Sequence, residues 1–326
     1  MKAIVYTKYG PPDVLRLADV KKPAPKEGEV LVKVIAVSVN TADWRMMRGT
    51  PLPLRFVSGL TRPKKQILGA DIAGRVEAVG PGVTQLKRGD EVFGDLSGAG
   101  WGGFAEYVAT KYSALVTKPA GATFEEAAAV PMAAVTALQG LRKSNVQAGH
   151  KVLIHGASGG VGTFSVQLAN ALGAEVTAVC SARNVDMVRS LGADHVIDYT
   201  KDDFAKSGKT YDAIIAVNGS RSISDYGRVL APKGTYMVSG GEMRQLTDVM
   251  VKGRFMSRGG RKFTNFLARP SQEDLTFVKG LIEAGKVKPV IVKRYTLAQV
   301  PDAIRYLEEG HAQGKAVIAV EEAAKP

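Results

Sequence analysis

The stretch VLIHGASGGVGTFSVQLANALGAEVTAV, Val152 to Val179, constrains the fold more tightly than any other part of this chain. A β-branched apolar run, a glycine-dense turn and an amphipathic segment follow one another without a gap. Two kinds of enzyme use such a strand–turn–helix. Gly156-Ala157-Ser158-Gly159-Gly160 fits G-x-S-x-G, the strained turn that presents a serine nucleophile. Shifted by one residue, Ala157-Ser158-Gly159-Gly160-Val161-Gly162 fits the dinucleotide fingerprint G-x-G-x-x-G, with alanine at the first glycine.

Context separates the two readings. A phosphate cradle needs a strand, a tight glycine turn and a helix whose free N–H groups face the anion. Val152–His155, Gly156–Gly160 and a helix from about Val161 supply them in order, with Val161, Phe164, Leu168 and Leu172 at helical spacing. A hydrolase nucleophile instead follows several strand–helix units and precedes an acid and then a histidine. Upstream of Ser158 the chain is rich in strands and poor in helices, and neither His195 nor His311 is marked as a base. Ser158, Gly159, Gly160 and Val161 are therefore expected at a pyrophosphate, with serine hydrolysis through Ser158 as the minor alternative.

The next strand, EVTAVC, ends where a ribose-binding residue is expected, and the text there is Cys180-Ser181-Ala182-Arg183-Asn184. No acid follows until Asp186, which the start of a helix turns away. Ser181 and Arg183 suit a 2′-phosphate, so NADPH is favoured over NADH.

Cys180 is the only cysteine, and no two of the four histidines form an H-x-x-x-H pair, which argues against a zinc site and excludes an intrachain disulfide. The net charge of +13 is spread along the chain. Its clusters at TRPKK (Arg62, Lys64, Lys65) and Lys252 to Lys262 read as solvated loops rather than polyanion sites. No apolar run reaches the ~18 residues of a membrane helix, and MKAIVYTKYG enters a strand pattern without a signal-peptide core. A cytoplasmic enzyme is the expectation.

Residues 1–119 read as short strands separated by Gly, Pro and Asp clusters, a barrel-like module. From Thr123, an N-cap with Glu126 three residues on, helices and strands alternate as in a doubly wound parallel sheet; Pro131 breaks or restarts the first helix. The last helix and strand, in AIRYLEEGHAQGKAVIAV, return to the first unit.

Taken in order, YGPPDVLRL, VIAVSVNTADWRMMRG, LGADIAGRVEAVGPGVTQLKRGDEVFG, GGFAEYV, AAAVPMAAVTALQGL, VLIHGASGGVG, LGADHVIDY and GHAQGKAVI resemble the medium-chain dehydrogenase/reductase superfamily, in its zinc-independent quinone-oxidoreductase-like branch. The resemblance implies an α/β protein: a GroES-like β-barrel catalytic domain over 1–119 and 266–326, and a Rossmann NADPH-binding domain over 120–265. It implies hydride transfer to quinones or to the C=C bond of α,β-unsaturated carbonyls, in a homodimer joined through its Rossmann sheets. Asn40 and Asp43 would line the cleft near the nicotinamide, with Asn40 orienting the nicotinamide or acceptor. Trp44 and Met132 would be apolar walls, Thr136 would face the nicotinamide, Tyr199 would pack by the adenosine ribose phosphate, and Lys315 would approach the cofactor. Zinc-dependent relatives carry a cysteine and Gly-His-Glu where this chain has SVNTAD and GADIAG, so Ser38, Asn40 and Asp71 stand in their place. No residue is marked as general acid, leaving water as the proton source. The competing reading is an NADPH-binding protein with weak turnover that docks on RNA or a membrane; scattered charge without interleaved aromatics argues against nucleic acid and gives a membrane little support.

Overall fold

The computed structural model describes residues 1–217, 221–240, 243–310 and 312–320. They form two compact units: Met1–Ala133 with Pro270–Glu283 and Pro289–Pro326, and Ala134–Arg269 with Ala284–Lys288.

In chain order the strands are β1 (Lys2–Val5), β2 (Arg16–Asp19), β3 (Glu29–Ser38), β4 (Asp71–Val79), β5 (Glu91–Asp95), β6 (Tyr107–Lys111) and β7 (Leu115–Thr117) in the first unit. The second unit adds β8 (Lys151–His155), β9 (Glu175–Cys180), β10 (His195–Asp198), β11 (Tyr211–Val217), β12 (Leu230–Ser239) and β13 (Lys262–Asn265). The tail contributes β14 (Ile291–Thr296) and β15 (Lys315–Ala319) to the first unit.

The first unit is built on β3, whose burial pattern is almost continuous. It pairs antiparallel with β4 along its length, with β6 at its N-terminal half and with β15 at its C-terminal end. The sheet runs β14-β15-β3-β4-β5-β7. Sharing one long strand among three partners curves the sheet around a core of Val30, Val32, Ile72, Val92, Phe104 and Ile304, as a GroES-like barrel requires. The returning strand β15 thus lies inside this sheet, between β14 and β3.

In the second unit six parallel strands lie in the order β10-β9-β8-β11-β12-β13. Numbered from β8, this is the 3-2-1-4-5-6 order of a dinucleotide-binding fold, which reverses between β8 and β11. Ligands bind beyond the carboxyl ends of the strands at that reversal, where residues 156–160 lie.

The first unit extends to Ala133 rather than stopping at residue 119. Thr123 caps the short helix Phe124–Ala128: its Oγ1 accepts from the Glu126 N–H at 3.1 Å, and Glu126 Oε2 accepts from the Thr123 N–H at 2.9 Å. Ala127 and Ala128 are fully buried, and this helix packs on β3 and β4, so what reads as the opening of the α/β region belongs to the barrel. Pro131 restarts the chain as helix Pro131–Lys143. The return to the first unit falls at Pro270 rather than residue 266. No helix among the described residues is long and apolar enough to cross a membrane.

Candidate functional site

In the second unit the turn after β8 forms an anion cradle. Gly156 carries the tight turn at φ +82°, and a Cβ there would collide with the Val217 carbonyl oxygen. Gly162 lets the helix Gly160–Ala171 approach the turn, since its Cβ would collide with the Gly156 carbonyl. Gly159 is the extended N-cap of that helix and donates its N–H to the Gly156 carbonyl at 3.2 Å. The N–H groups of Gly160, Val161 and Gly162 begin the helix and have no carbonyl one turn behind them, so they suit a pyrophosphate.

This corrects the reading of the motif at one position. The first-glycine task falls to Gly156, not to Ala157, which is buried with its N–H donated to the Val179 carbonyl. Ser158 is half-buried at the rim of the turn. A hydrolytic base is not offered to it by His155 or His195: His155 Nδ1 is 2.7 Å from the Tyr226 hydroxyl, and His195 pairs with Glu175 at 3.2 Å. His311 lies outside the described residues.

At the end of β9, Ser181 precedes a 3-10 turn, and its Oγ accepts from Asn184 Nδ2 at 3.0 Å. Arg183 is exposed on this turn. Asp186 is fully exposed and pairs with Arg189 at 3.6 Å, turned away as its helical position requires. Asp198 faces Cys180 across the β9–β10 pair, but the Thr200 N–H and hydroxyl donate to Asp198 Oδ1 at 3.0 and 2.8 Å. Tyr199 comes next, its N–H donated to the Cys180 carbonyl and its ring half exposed. Ser181, Arg183 and Tyr199 therefore collect at one strand end. Thr136 is half-buried on helix Pro131–Lys143.

The first unit holds a buried polar cluster. Ser38, Asp71 and Asp95 lie in register across β3, β4 and β5. Asn40 leaves β3 and begins helix Thr41–Arg48, where the Asp43 carboxylate accepts the Asn40 N–H at 2.7 Å and the Gly69 N–H at 3.0 Å. The Asn40 side chain bridges two charged groups: its Nδ2 donates to Asp71 Oδ2 at 2.9 Å, and its Oδ1 accepts from Lys315 Nζ at 2.6 Å. Asp71 also accepts from Ser38 Oγ at 3.2 Å and from the Met132 N–H at 2.9 Å, and the Lys315 ammonium stands 3.6 Å away.

Burial opposes every charge in this cluster. It raises the Asp43 and Asp71 carboxyls to about 7 and pushes Asp95 up, while it pulls Lys315 down against three surrounding carboxylates. Burial thus favours the neutral over the charged form of each group. The side-chain polar atoms of Asn40 and Asp43 are all engaged within the first unit. Lys315, expected beside the cofactor, is 4% exposed in the first unit and bonded to Asn40. Trp44 packs against the barrel core with Arg45 over its ring, and Met132 is half-buried. Sequence reasoning missed Asp95; its only signal was an acid ending the apolar run EVFGD.

Residues 26–120 match the family model described as alcohol dehydrogenase GroES-like domain, and residues 191–318 match that described as zinc-binding dehydrogenase. The chain is 36% identical to a chloroplast envelope quinone oxidoreductase homolog of Arabidopsis thaliana, over 98% of each. It is 34% identical to an NADPH-dependent alkenal/one oxidoreductase of the same plant, over 98% of this chain and 79% of that one. Among solved structures, the quinone oxidoreductase from Coxiella burnetii superposes with a TM-score of 0.85 at 30% identity, covering 98% and 99% of the two chains.

No group of three His, Cys, Asp or Glu able to hold a metal occurs among the described residues. Asp71, at a position where zinc-dependent relatives place a ligand, is already occupied by three hydrogen-bond donors and a lysine ammonium.

Proposed function

The chain belongs to the medium-chain dehydrogenase/reductase superfamily, in its quinone-oxidoreductase-like branch, and we propose that this oxidoreductase of quinones and α,β-unsaturated carbonyls works with NADPH and without zinc. When bound, NADPH supplies the hydride; one proton from water completes the hydroquinone or the saturated carbonyl. The residues of the second unit bind and orient: the N–H groups of Gly160, Val161 and Gly162, with Ser158, take the pyrophosphate, and Ser181, Arg183 and Tyr199 surround the 2′-phosphate. Asn40, Asp43, Asp71 and Lys315 fix the backbone where β3 turns into its helix and keep buried charge balanced there.

The observation that carries the cofactor reading is the end of β9. Its acid, Asp186, is turned to solvent, while Ser181 and Arg183 remain. Arg183→Ala is expected to lower kcat/KM with NADPH by about 10- to 100-fold and to leave NADH turnover nearly unchanged, the loss of one charge-assisted contact worth about 1.5–3 kcal/mol. Equal use of NADPH and NADH by the wild type would overturn the reading.

For zinc, elemental analysis of protein purified without added metal is expected to find far less than one zinc per chain, with activity unaffected by chelators. Stoichiometric zinc would contradict it. We further infer a cytoplasmic homodimer joined along β13, the last strand of its sheet. Fractionation and light scattering test these two points.

A further inference from the structure

Helix Leu54–Ser58 and the turns beside it form a knob on the first unit that puts large apolar side chains in water: Leu52 is 69% exposed, Phe56 74%, Val57 78% and Leu60 62%. Between Asp43 and Asp71 the chain has no acidic residue and six basic ones. Arg48 pairs with Glu308 at 2.6 Å, Arg55 donates to the Gly49 carbonyl and lies over the Tyr9 ring, and Arg45 lies over Trp44. Arg62, Lys64 and Lys65 are exposed beside the apolar residues.

The knob is pinned at its base. The Tyr9 hydroxyl donates to the Gly59 carbonyl at 2.6 Å and lies 2.8 Å from Ser58 Oγ. The Lys64 N–H donates to the Ser58 carbonyl at 2.8 Å, which folds the basic segment back along the helix. Ser58, Gly59 and Pro63 are buried, so the clamp holds Phe56 and Val57 outward.

Exposed apolar side chains rimmed by polar ones mark an interaction surface. Here every charged residue of the segment is basic, which disfavours a second copy of this +13 chain seated knob to knob. Single-stranded nucleic acid is served by several aromatic faces, whereas three of the four apolar tips are aliphatic. Apolar tips with cations at their margin match an interface with acyl chains below and phosphates at the level of the cations. We propose that this knob docks the protein on a membrane surface that contains anionic phospholipid. The sequence alone reads Arg62, Lys64 and Lys65 as a solvated loop; the exposed apolar companions change that reading.

The test is co-sedimentation of the full chain with vesicles of phosphatidylcholine alone and of phosphatidylcholine with about a quarter phosphatidylglycerol. Wild type is expected to sediment with the second and not the first. Joint substitution of Arg62→Gln, Lys64→Gln and Lys65→Gln is expected to weaken partitioning on the order of 100-fold. The pair Phe56→Ser and Val57→Ser is expected to weaken it on the order of 10-fold or more. A control with the same charge change elsewhere, Lys206→Gln, Lys209→Gln and Lys233→Gln, is expected to bind as wild type; all three lysines are exposed. Each variant leaves the Tyr9 clamp intact, and circular dichroism checks its fold. The proposal is overturned if wild type ignores anionic vesicles, if the control loses as much as the knob variant, if Phe56 and Val57 prove silent, or if RNA binds more tightly with the same residue dependence. The assay involves no turnover, so its outcome is independent of the cofactor reading.

Discussion

Lys315→Met is expected to destabilise the first unit by about 2–4 kcal/mol at pH 8, because it strips the cation from a buried carboxylate and leaves Asn40 Oδ1 without its donor. Methionine preserves most of the volume, so the loss is electrostatic rather than a cavity effect. The deficit is also expected to depend on pH. Burial already raises Asp71 to about 7, and removing Lys315 raises it further. A carboxyl whose folded pKa lies above its unfolded value favours the folded state while protonated and loses that contribution as pH rises through the folded value. The deficit is therefore smaller near pH 5, where only the lost Asn40 contact counts, and grows as pH rises above about 7. Trp44 and Trp101 are the only tryptophans and both lie in the first unit, so their fluorescence during denaturant unfolding reads this unit selectively. A deficit equal at both pH values would contradict the role given to Asp71.

Gly156→Ala is expected to cost the second unit about 2–4 kcal/mol and to abolish measurable NADPH binding. The backbone at φ +82° disfavours any Cβ, and the added atom would drive the turn away from the Val217 carbonyl at the end of β11. Both strands flank the reversal of the sheet, so the displacement spreads to the cradle itself. Far-UV circular dichroism on heating and NADPH fluorescence titration measure the two effects. Wild-type affinity in this variant would return the first-glycine task to another residue.

The strand–turn–helix of residues 152–171 was legible because local rules write it: β-branched residues, glycines and an apolar helical stripe occur in one short window. Its phase was not, since only backbone angles reveal that Gly156 rather than position 157 adopts positive φ. The capping box at Thr123 and Glu126 was equally local and is present. What that helix packs against is not local, which is why the first unit reaches Ala133 and not residue 119.

The polar cluster shows the same limit. Asn40 and Lys315 are 275 residues apart, and only β15 lying beside β3 brings them together. Family resemblance pointed to both residues, but not to the hydrogen bond between them. The exposed knob was not legible either, because nothing local in the sequence marks Leu52, Phe56, Val57 and Leu60 as exposed rather than buried.

The central claim concerns the acceptor. In the zinc-free site proposed above, a saturated carbonyl concentrates developing charge on one oxygen, whereas a quinone or enone spreads it over several atoms. The decisive measurement is NADPH-dependent kcat/KM for matched pairs, each an α,β-unsaturated aldehyde or ketone and its saturated counterpart, with simple quinones alongside. The conjugated acceptors and quinones are expected to exceed the saturated partners by at least about 100-fold, a barrier difference of roughly 2.7 kcal/mol or more. Saturated aldehydes reduced as fast as their enal counterparts would contradict the account.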